Sequence, residues 1–219
     1  DLGLYDKRFM YEPGLRVPLI VSGPGVKTGA VPTQFVANID LAPTFLELAG
    51  LPVPASMQGR SLVPMLHGEA PADWRTSMYY RYWMHMYHCD NPGHLGIRTK
   101  DYKLIFFYGM GRDDKMLRTP PGWELYDLKK DPQELVNLFD KPAYAKVVAD
   151  MKKQLAERRK QVGDDGSDYP QIEAVVREFW NYDAAACAKA EQMSHDYRAM
   201  KEAEPPVAPK IKSKSSKRP

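Results

Sequence analysis

The sequence has few of the features that assign a chain quickly to a class of protein. It contains two cysteines in 219 residues, Cys89 and Cys187, and their spacing matches no metal-binding pattern. No apolar run approaches the roughly 20 residues that a membrane-spanning helix needs, so we expect no membrane span. The chain begins at Asp1 with neither an initiator methionine nor a basic-then-apolar signal segment, and we therefore expect a processed or partial chain.

The positive net charge of the chain comes from its last ten residues. The whole chain carries +3, but residues 210–219 hold five cations and no acid, which leaves the rest weakly acidic at −2. A segment rich in Pro, Ser and Lys cannot build a packed core, and we predict a disordered basic tail over residues 204–219. Because this tail lacks the interleaved aromatic residues that stack on bases, we do not expect nucleic-acid binding.

The first half of the chain predicts short buried elements. Residues 15–21 are apolar and branched, which predicts a short buried strand. Residues 40–50 predict a short buried helix, because Asp40 can cap its start, Pro43 is tolerated in a first turn and Gly50 can end it. A Pro-rich connector follows, up to about residue 71.

The second half predicts a small sheet followed by helices. Residues 78–83, 96–99, 102–108 and 123–128 are rich in aromatic and branched side chains, which favours about four antiparallel strands. Residues 143–162 carry apolar side chains at three- and four-residue steps and are followed by Gly163, so they predict an amphipathic helix. Apolar positions over residues 172–180 predict a second helix, and a weaker stripe predicts a third over residues 183–201.

Five blocks, in order, resemble the C-terminal portion of sulfatases of the alkaline-phosphatase-like superfamily, in particular bacterial carbohydrate sulfatases. The blocks are residues 3–12 (GLYDKRFMYE) with 15–21, 38–45 (NIDLAPTF), 57–62 (MQGRSL), 96–105 (GIRTKDYKLI), and 124–128 (ELYDL) with 131–132 and 134–135. None is specific alone, but together they span roughly residues 1 to 140 in the order of that family. The resemblance implies an α/β fold, with the end of the α/β/α catalytic core followed by a C-terminal subdomain of about four antiparallel strands with helices.

The resemblance also implies a domain division and an activity. We predict the end of the catalytic core over residues 1–75, the antiparallel-sheet subdomain with its packing helix over 76–163, and a helical extension over 164–203. The implied activity is hydrolysis of sulfate esters of carbohydrates by a formylglycine nucleophile with a calcium ion, in the periplasm or outside the cell. This sequence has neither the motif that yields formylglycine nor the calcium ligands, so we expect both in the missing N-terminal half and no activity from this chain alone.

Lys7 is the first candidate catalytic residue. A breaking sulfate ester develops negative charge on its oxygens, and a fixed ammonium group stabilises that charge. Without the block match, a solvent-facing lysine in a polar loop is the favoured interpretation, and the block match reverses this in favour of contact with the sulfate. We expect Glu12 and Arg16 to pair and hold this segment.

The loop over residues 85–94 is the second candidate site, because loops on a rigid sheet commonly carry binding residues. His88, Asp90 and Asn91 are predicted to contact the sugar, with their polar side chains facing outward. His94 matches a histidine that many carbohydrate sulfatases place near the leaving group, where it can hydrogen-bond or protonate the departing oxygen. The alternative for His94 is a cap on the following strand. The spacing of these residues lacks the geometry of a zinc site, and we predict no metal site in this chain.

Two other functions remain open at this point. A phosphonate or phosphate ester hydrolase of the same superfamily shares the scaffold, and only the upstream nucleophile and metal ligands separate the two. A non-catalytic module whose basic tail binds polyanions is the alternative from another class.

Overall fold

The protein was analysed as a computed structural model that describes residues 8–87 and 89–203. This part of the chain begins with short helices and loops, continues into an antiparallel sheet and ends in three longer helices. The helices are α1 (Glu12–Leu15), α2 (Leu41–Leu48), α3 (Val63–Leu66), α4 (Ala145–Gln161), α5 (Pro170–Phe179) and α6 (Ala184–Ala203), with 3₁₀ turns at Asn38–Asp40 and Pro142–Tyr144. None of the helices in the described ranges is long and apolar enough to cross a membrane.

The sheet confirms the predicted four antiparallel strands. Its strands are β1 (Ser77–Tyr82), β2 (His94–Thr99), β3 (Tyr102–Phe107) and β4 (Gly122–Asp127), arranged in the order β1-β2-β3-β4. The register places Tyr82 opposite His94 at one end of the sheet, and His94 opposite Phe107. The β1–β2 and β3–β4 connections therefore leave the sheet at the same end.

One face of the sheet packs against the long helices and forms the main core. Leu95, Leu104 and Trp123 lie on this face and contact buried residues of all three long helices, among them Leu155 and Phe179. The indole Nε1 of Trp123 also donates a hydrogen bond of 2.9 Å to the carbonyl of Phe179. Helices α5 and α6 thus complete the same core as α4, and the predicted division of the chain into domains stays a prediction.

The opposite face of the sheet is covered by the segment of residues 8–15. Met10 is fully buried there against Ile105 and Tyr126. The Sδ of Met10 would lie only 2.5 Å from a Cβ at Gly96, so the missing side chain of this glycine makes room for Met10. The N-terminal segment is therefore held directly on the sheet.

The predicted strand over residues 15–21 is wrong for this chain. Leu15 ends α1, and residues 16–22 form no regular secondary structure. Ile20 is 90% exposed, and Val17 and Leu19 are exposed as well. A strand needs a neighbouring strand to bond its backbone groups, and the described residues supply none here.

The predicted helix after Asp40 is confirmed as α2, but it is only partly buried. Phe45 and Leu48 are exposed on its surface, whereas Thr44 is buried. Asp40 does not cap α2 with its side chain. Its carboxylate instead accepts hydrogen bonds of 2.5 and 2.6 Å from Arg75. Burial raises the pKa of Asp40, but these and other hydrogen bonds outweigh it and leave the pKa below the usual value.

Candidate functional site

The candidate site lies at the end of the sheet where β1 turns into β2. Residues 83–93 make this connection, and three of them that are not glycine have a positive φ: Met86 (55°), Cys89 (48°) and Asp90 (52°). Left-handed backbone costs such residues about 1 kcal/mol each, so the surrounding contacts must hold the loop in shape. One such contact is the 2.8 Å hydrogen bond from the Met86 N–H to the carbonyl of Asn91.

His94 opens β2 and is fully buried. Its Nδ1 lies 2.8 Å from the carbonyl oxygen of Pro92, and since a carbonyl only accepts, Nδ1 carries the proton and donates. Burial lowers the pKa of His94 to about 4, against the smaller opposite effect of this hydrogen bond. The imidazole is therefore neutral at pH 7 and presents Nε2 as an acceptor.

Aromatic rings surround the imidazole of His94. The ring centroids of Tyr80, Tyr82 and Phe107 lie 5.6, 5.7 and 5.2 Å from it. Phe9, from the N-terminal segment, stacks on it at 6.1 Å with an interplanar angle of 14°. These rings exclude water from the imidazole and fix its orientation.

Several buried polar atoms of this connection and of the two strand residues that flank it have no hydrogen-bond partner in the structure. They are His94 Nε2, His85 Nε2, the hydroxyl of Tyr82 and both amide atoms of Asn91. His85 accepts a 3.0 Å hydrogen bond from the Gly93 N–H at Nδ1, and burial lowers its pKa to about 4. An unpaired buried polar group costs about 1–3 kcal/mol, so this concentration within thirteen residues makes the end of the sheet a candidate binding site.

The sequence-predicted site residues fall into three groups. Asn91 and His94 are both buried in this connection, so the expectation that the polar side chains face outward is wrong for Asn91. Asp90 is exposed, as that expectation required. Lys7 and His88 lie outside the described residues, and their predicted roles stay predictions.

Sequence reasoning missed Tyr82 and gave His85 no role of its own. The sequence did contain a signal for Tyr82, because two antiparallel strands that flank one loop place their terminal residues opposite each other. Tyr82 therefore lies opposite His94. The burial of His85 had no such signal, since it depends on how the loop folds back onto the sheet.

Successive residues of the N-terminal segment are each tied to the sheet. The carbonyl of Arg8 accepts a 2.8 Å hydrogen bond from the Tyr80 hydroxyl. The Tyr11 hydroxyl donates to Glu124 at 2.8 Å, and Tyr126 donates to the same carboxylate at 3.0 Å. Burial raises the pKa of Glu124 despite these two hydrogen bonds.

Glu12 belongs to a buried network of charges rather than to the predicted pair with Arg16, which is exposed. Its two carboxylate oxygens each accept a 2.9 Å hydrogen bond from Arg98. The Nζ of Lys103 lies 2.8 Å from Glu12 and 2.5 Å from Glu134. Burial raises the pKa of Glu12, but the bonds from Arg98 and Lys103 outweigh it and lower the pKa to about 2.

The described residues do not fit a calcium site. In the ranges 8–87 and 89–203, no group of three or more His, Cys, Asp or Glu side chains lies close enough to hold a metal ion.

Comparison with known proteins identifies the family. Residues 1–161 match the family described as N-sulphoglucosamine sulphohydrolase, C-terminal. The chain belongs to this family. The resemblance to the C-terminal portion of sulfatases is thereby confirmed, and so is the α/β fold class with its four-stranded antiparallel sheet.

Relatives of this sulfatase C-terminal domain are much longer proteins. It is 43% identical over 169 residues to an N-acetylglucosamine-6-O-sulfatase of Bacteroides thetaiotaomicron, covering 76% of this chain and 29% of that protein. A protein solved in complex with its substrate, D-glucosamine-2-N,6-O-disulfate, superposes with a TM-score of 0.66 at 42% identity, over 74% of this chain and 32% of the other. A phosphonate monoester hydrolase from Silicibacter pomeroyi superposes with a TM-score of 0.51 at 25% identity, over 64% of this chain and 28% of the other.

Proposed function

We propose that this chain is the C-terminal part of a sulfuric ester hydrolase that acts on a sulfated carbohydrate. Family membership and the likeness to a protein solved with a sulfated glucosamine support this substrate class. The chain spans about a third of the length of these relatives, so the complete activity needs residues beyond those of this chain.

The observation that carries the proposal is the buried, unpaired Nε2 of His94. The hydrogen bond from Nδ1 to Pro92 aims the ring, and a neutral imidazole offers Nε2 to a substrate oxygen. A sulfate ester placed beside the ring brings negative charge, which raises the pKa of the imidazole and favours its protonated form. Protonated Nε2 then donates to the oxygen that leaves from sulfur, which a sugar alkoxide requires more than a phenolate does.

Other residues of this chain are proposed to bind the substrate. Asn91 offers both an amide donor and an acceptor without partners, which suits recognition of sugar hydroxyls. Exposed Asp90 and its neighbour His88 are proposed to contact the sugar from the same loop. Lys7 is proposed to stabilise the sulfate charge, next to a segment that Tyr80 and the Glu12 network hold on the sheet.

We also propose that the formylglycine nucleophile and the calcium ligands lie in an N-terminal part of the same polypeptide. In such an enzyme the formylglycine would supply the nucleophile, and the calcium ion would supply positive charge for the sulfate. Exposed apolar side chains at Val17, Leu19 and Ile20 and at Phe45 and Leu48 of α2 support a surface that another part of the polypeptide covers. Because the chain is similar to bacterial sulfatases, we propose a periplasmic or secreted location.

The proposal is tested with the polypeptide extended upstream of Asp1. Purified enzyme is incubated with D-glucosamine-2-N,6-O-disulfate, and the released sulfate is measured by ion chromatography. In a parallel assay the enzyme is incubated with a phosphonate monoester of a phenol, and the released phenol is measured. We expect much faster release of sulfate than of the phenol.

The similarity to a phosphonate monoester hydrolase supports the second candidate function. Preferred turnover of the phosphonate would favour it and reject the sulfatase proposal. Glycan binding without any turnover by the extended polypeptide would instead favour a polyanion-binding module.

A further inference from the structure

Two tyrosines of β1 contact His94 but differ in one respect. Tyr80 and Tyr82 lie two residues apart, so both point to the sheet face that carries His94. Their rings lie at nearly equal distances from the imidazole, 5.6 and 5.7 Å. The Tyr80 hydroxyl donates to the carbonyl of Arg8 at 2.8 Å, whereas the Tyr82 hydroxyl has no partner.

The Tyr82 hydroxyl is not a group that water satisfies at the surface. The residue is 8% exposed, and its oxygen belongs to the buried polar atoms without a partner. Tyr108 donates a hydrogen bond to the backbone carbonyl of Tyr82, which fixes this end of β1 without involving the hydroxyl. A phenol oxygen kept unpaired in an apolar setting costs stability, so a role in binding is the physical reason to keep it.

The surroundings of Tyr82 suit an oxygen-rich ligand that accepts a hydrogen bond. Burial raises the pKa of Tyr82, so its hydroxyl stays neutral and can donate a hydrogen bond. The positive charge of Arg8 lowers the pKa, but by less than burial raises it. The imidazole of His94, whose Nε2 has no partner either, lies against the ring of Tyr82. The hydroxyl therefore adds a donor beside a second buried group that lacks a partner.

We propose that Tyr82 is a specificity-determining residue whose hydroxyl donates a hydrogen bond to an oxygen of the sugar that carries the sulfate. The assignment rests on the proposed function. The sugar is favoured over the sulfate because Tyr82 packs against His94, which is assigned to the leaving-group oxygen. A sugar presents hydroxyl and ring oxygens on that side, whereas a small aryl sulfate presents only a ring.

The test compares Tyr82→Phe with Tyr80→Phe in the polypeptide extended upstream. Both variants lose one hydroxyl and keep the ring against His94, so they are matched in size and position. For Tyr82→Phe we expect KM for D-glucosamine-2-N,6-O-disulfate to rise about tenfold, the worth of one hydrogen bond, with little change for 4-nitrophenyl sulfate. Its melting temperature should stay equal or rise, because an unpaired buried hydroxyl is removed.

Tyr80→Phe should behave as a structural change. Loss of its bond to Arg8 should lower the melting temperature and affect both substrates to the same degree. Unchanged KM values for Tyr82→Phe, or equal losses on both substrates, would overturn the role of Tyr82. The proposed function would still stand in that case, provided that the unmodified enzyme releases sulfate. Absence of sulfate release by the unmodified enzyme would overturn both.

Discussion

Replacing Glu12 with glutamine tests the physical reasoning about the N-terminal segment. The carboxylate side chain is 13% exposed and is bonded to Arg98 and Lys103, which lower its pKa from 4.5 to about 2. Lowering the pKa from 4.5 to about 2 corresponds to about 3–4 kcal/mol of folding free energy, at roughly 1.4 kcal/mol for each tenfold change in the acid constant. Removing one partner of a buried ion pair costs about 3–5 kcal/mol in general, which agrees with that figure.

The sign of the pH dependence follows from the lowered pKa of Glu12. Its contribution to stability is fully present above pH 4.5 and is lost as the pH falls from there towards 2. Urea unfolding of the chain, followed by tryptophan fluorescence, should therefore show Glu12→Gln destabilised by about 3 kcal/mol at pH 7. The difference from the unmodified chain should shrink as the pH falls below 4.5.

Asp73→Asn is the matched control for this experiment. Asp73 makes the same kind of pair with Arg60, but its side chain is 79% exposed, and exposed pairs contribute little. Its urea midpoint should equal that of the unmodified chain. A loss below about 1 kcal/mol for Glu12→Gln at pH 7, or a loss independent of pH, would refute the reasoning about the buried network.

Three further predictions follow from the same structure. As the pH falls from 6.5 to 4, the chain should lose up to about 3 kcal/mol of stability for each of His85 and His94, because these residues bind protons at a higher pH in the unfolded state than in the folded state. Urea midpoints measured across this range check the prediction, and a midpoint that does not change with pH would contradict it. Gly59→Ala should lower the melting temperature, since its Cβ would lie 1.8 Å from the carbonyl oxygen of Ile39, whereas Gly122→Ala meets nothing within 4 Å and should lower it far less. The 219-residue chain alone should not hydrolyse 4-nitrophenyl sulfate; turnover that co-purifies with it through two columns would show that the nucleophile lies within it.

The sheet and the long helices were predictable because their signals are local. Alternation of aromatic and branched residues marked the strands to within one or two residues, and the apolar stripe of residues 143–162 marked α4. Each of these elements buries its side chains against other parts of the same chain. Local pattern and tertiary packing therefore agree.

Features that depend on distant partners were not predictable. Residues 15–21 have the composition of a strand, but a strand forms only where another strand bonds to it. The partners of Glu12 are 86 and 91 residues away at Arg98 and Lys103, and no spacing rule connects them. The burial of Asn91 likewise depends on three positive φ angles in a loop whose composition indicated only polarity.

The central claim is that His94 serves the leaving group of a sulfated sugar, and its direct test is His94→Ala in the polypeptide extended upstream. We measure kcat/KM on D-glucosamine-2-N,6-O-disulfate and on 4-nitrophenyl sulfate, whose phenolate leaves without a proton. The account predicts a loss of about 10²-fold or more on the sugar and little loss on the aryl sulfate, which also shows that the variant is folded. Equal losses on the two substrates, or no loss on the sugar, would contradict it.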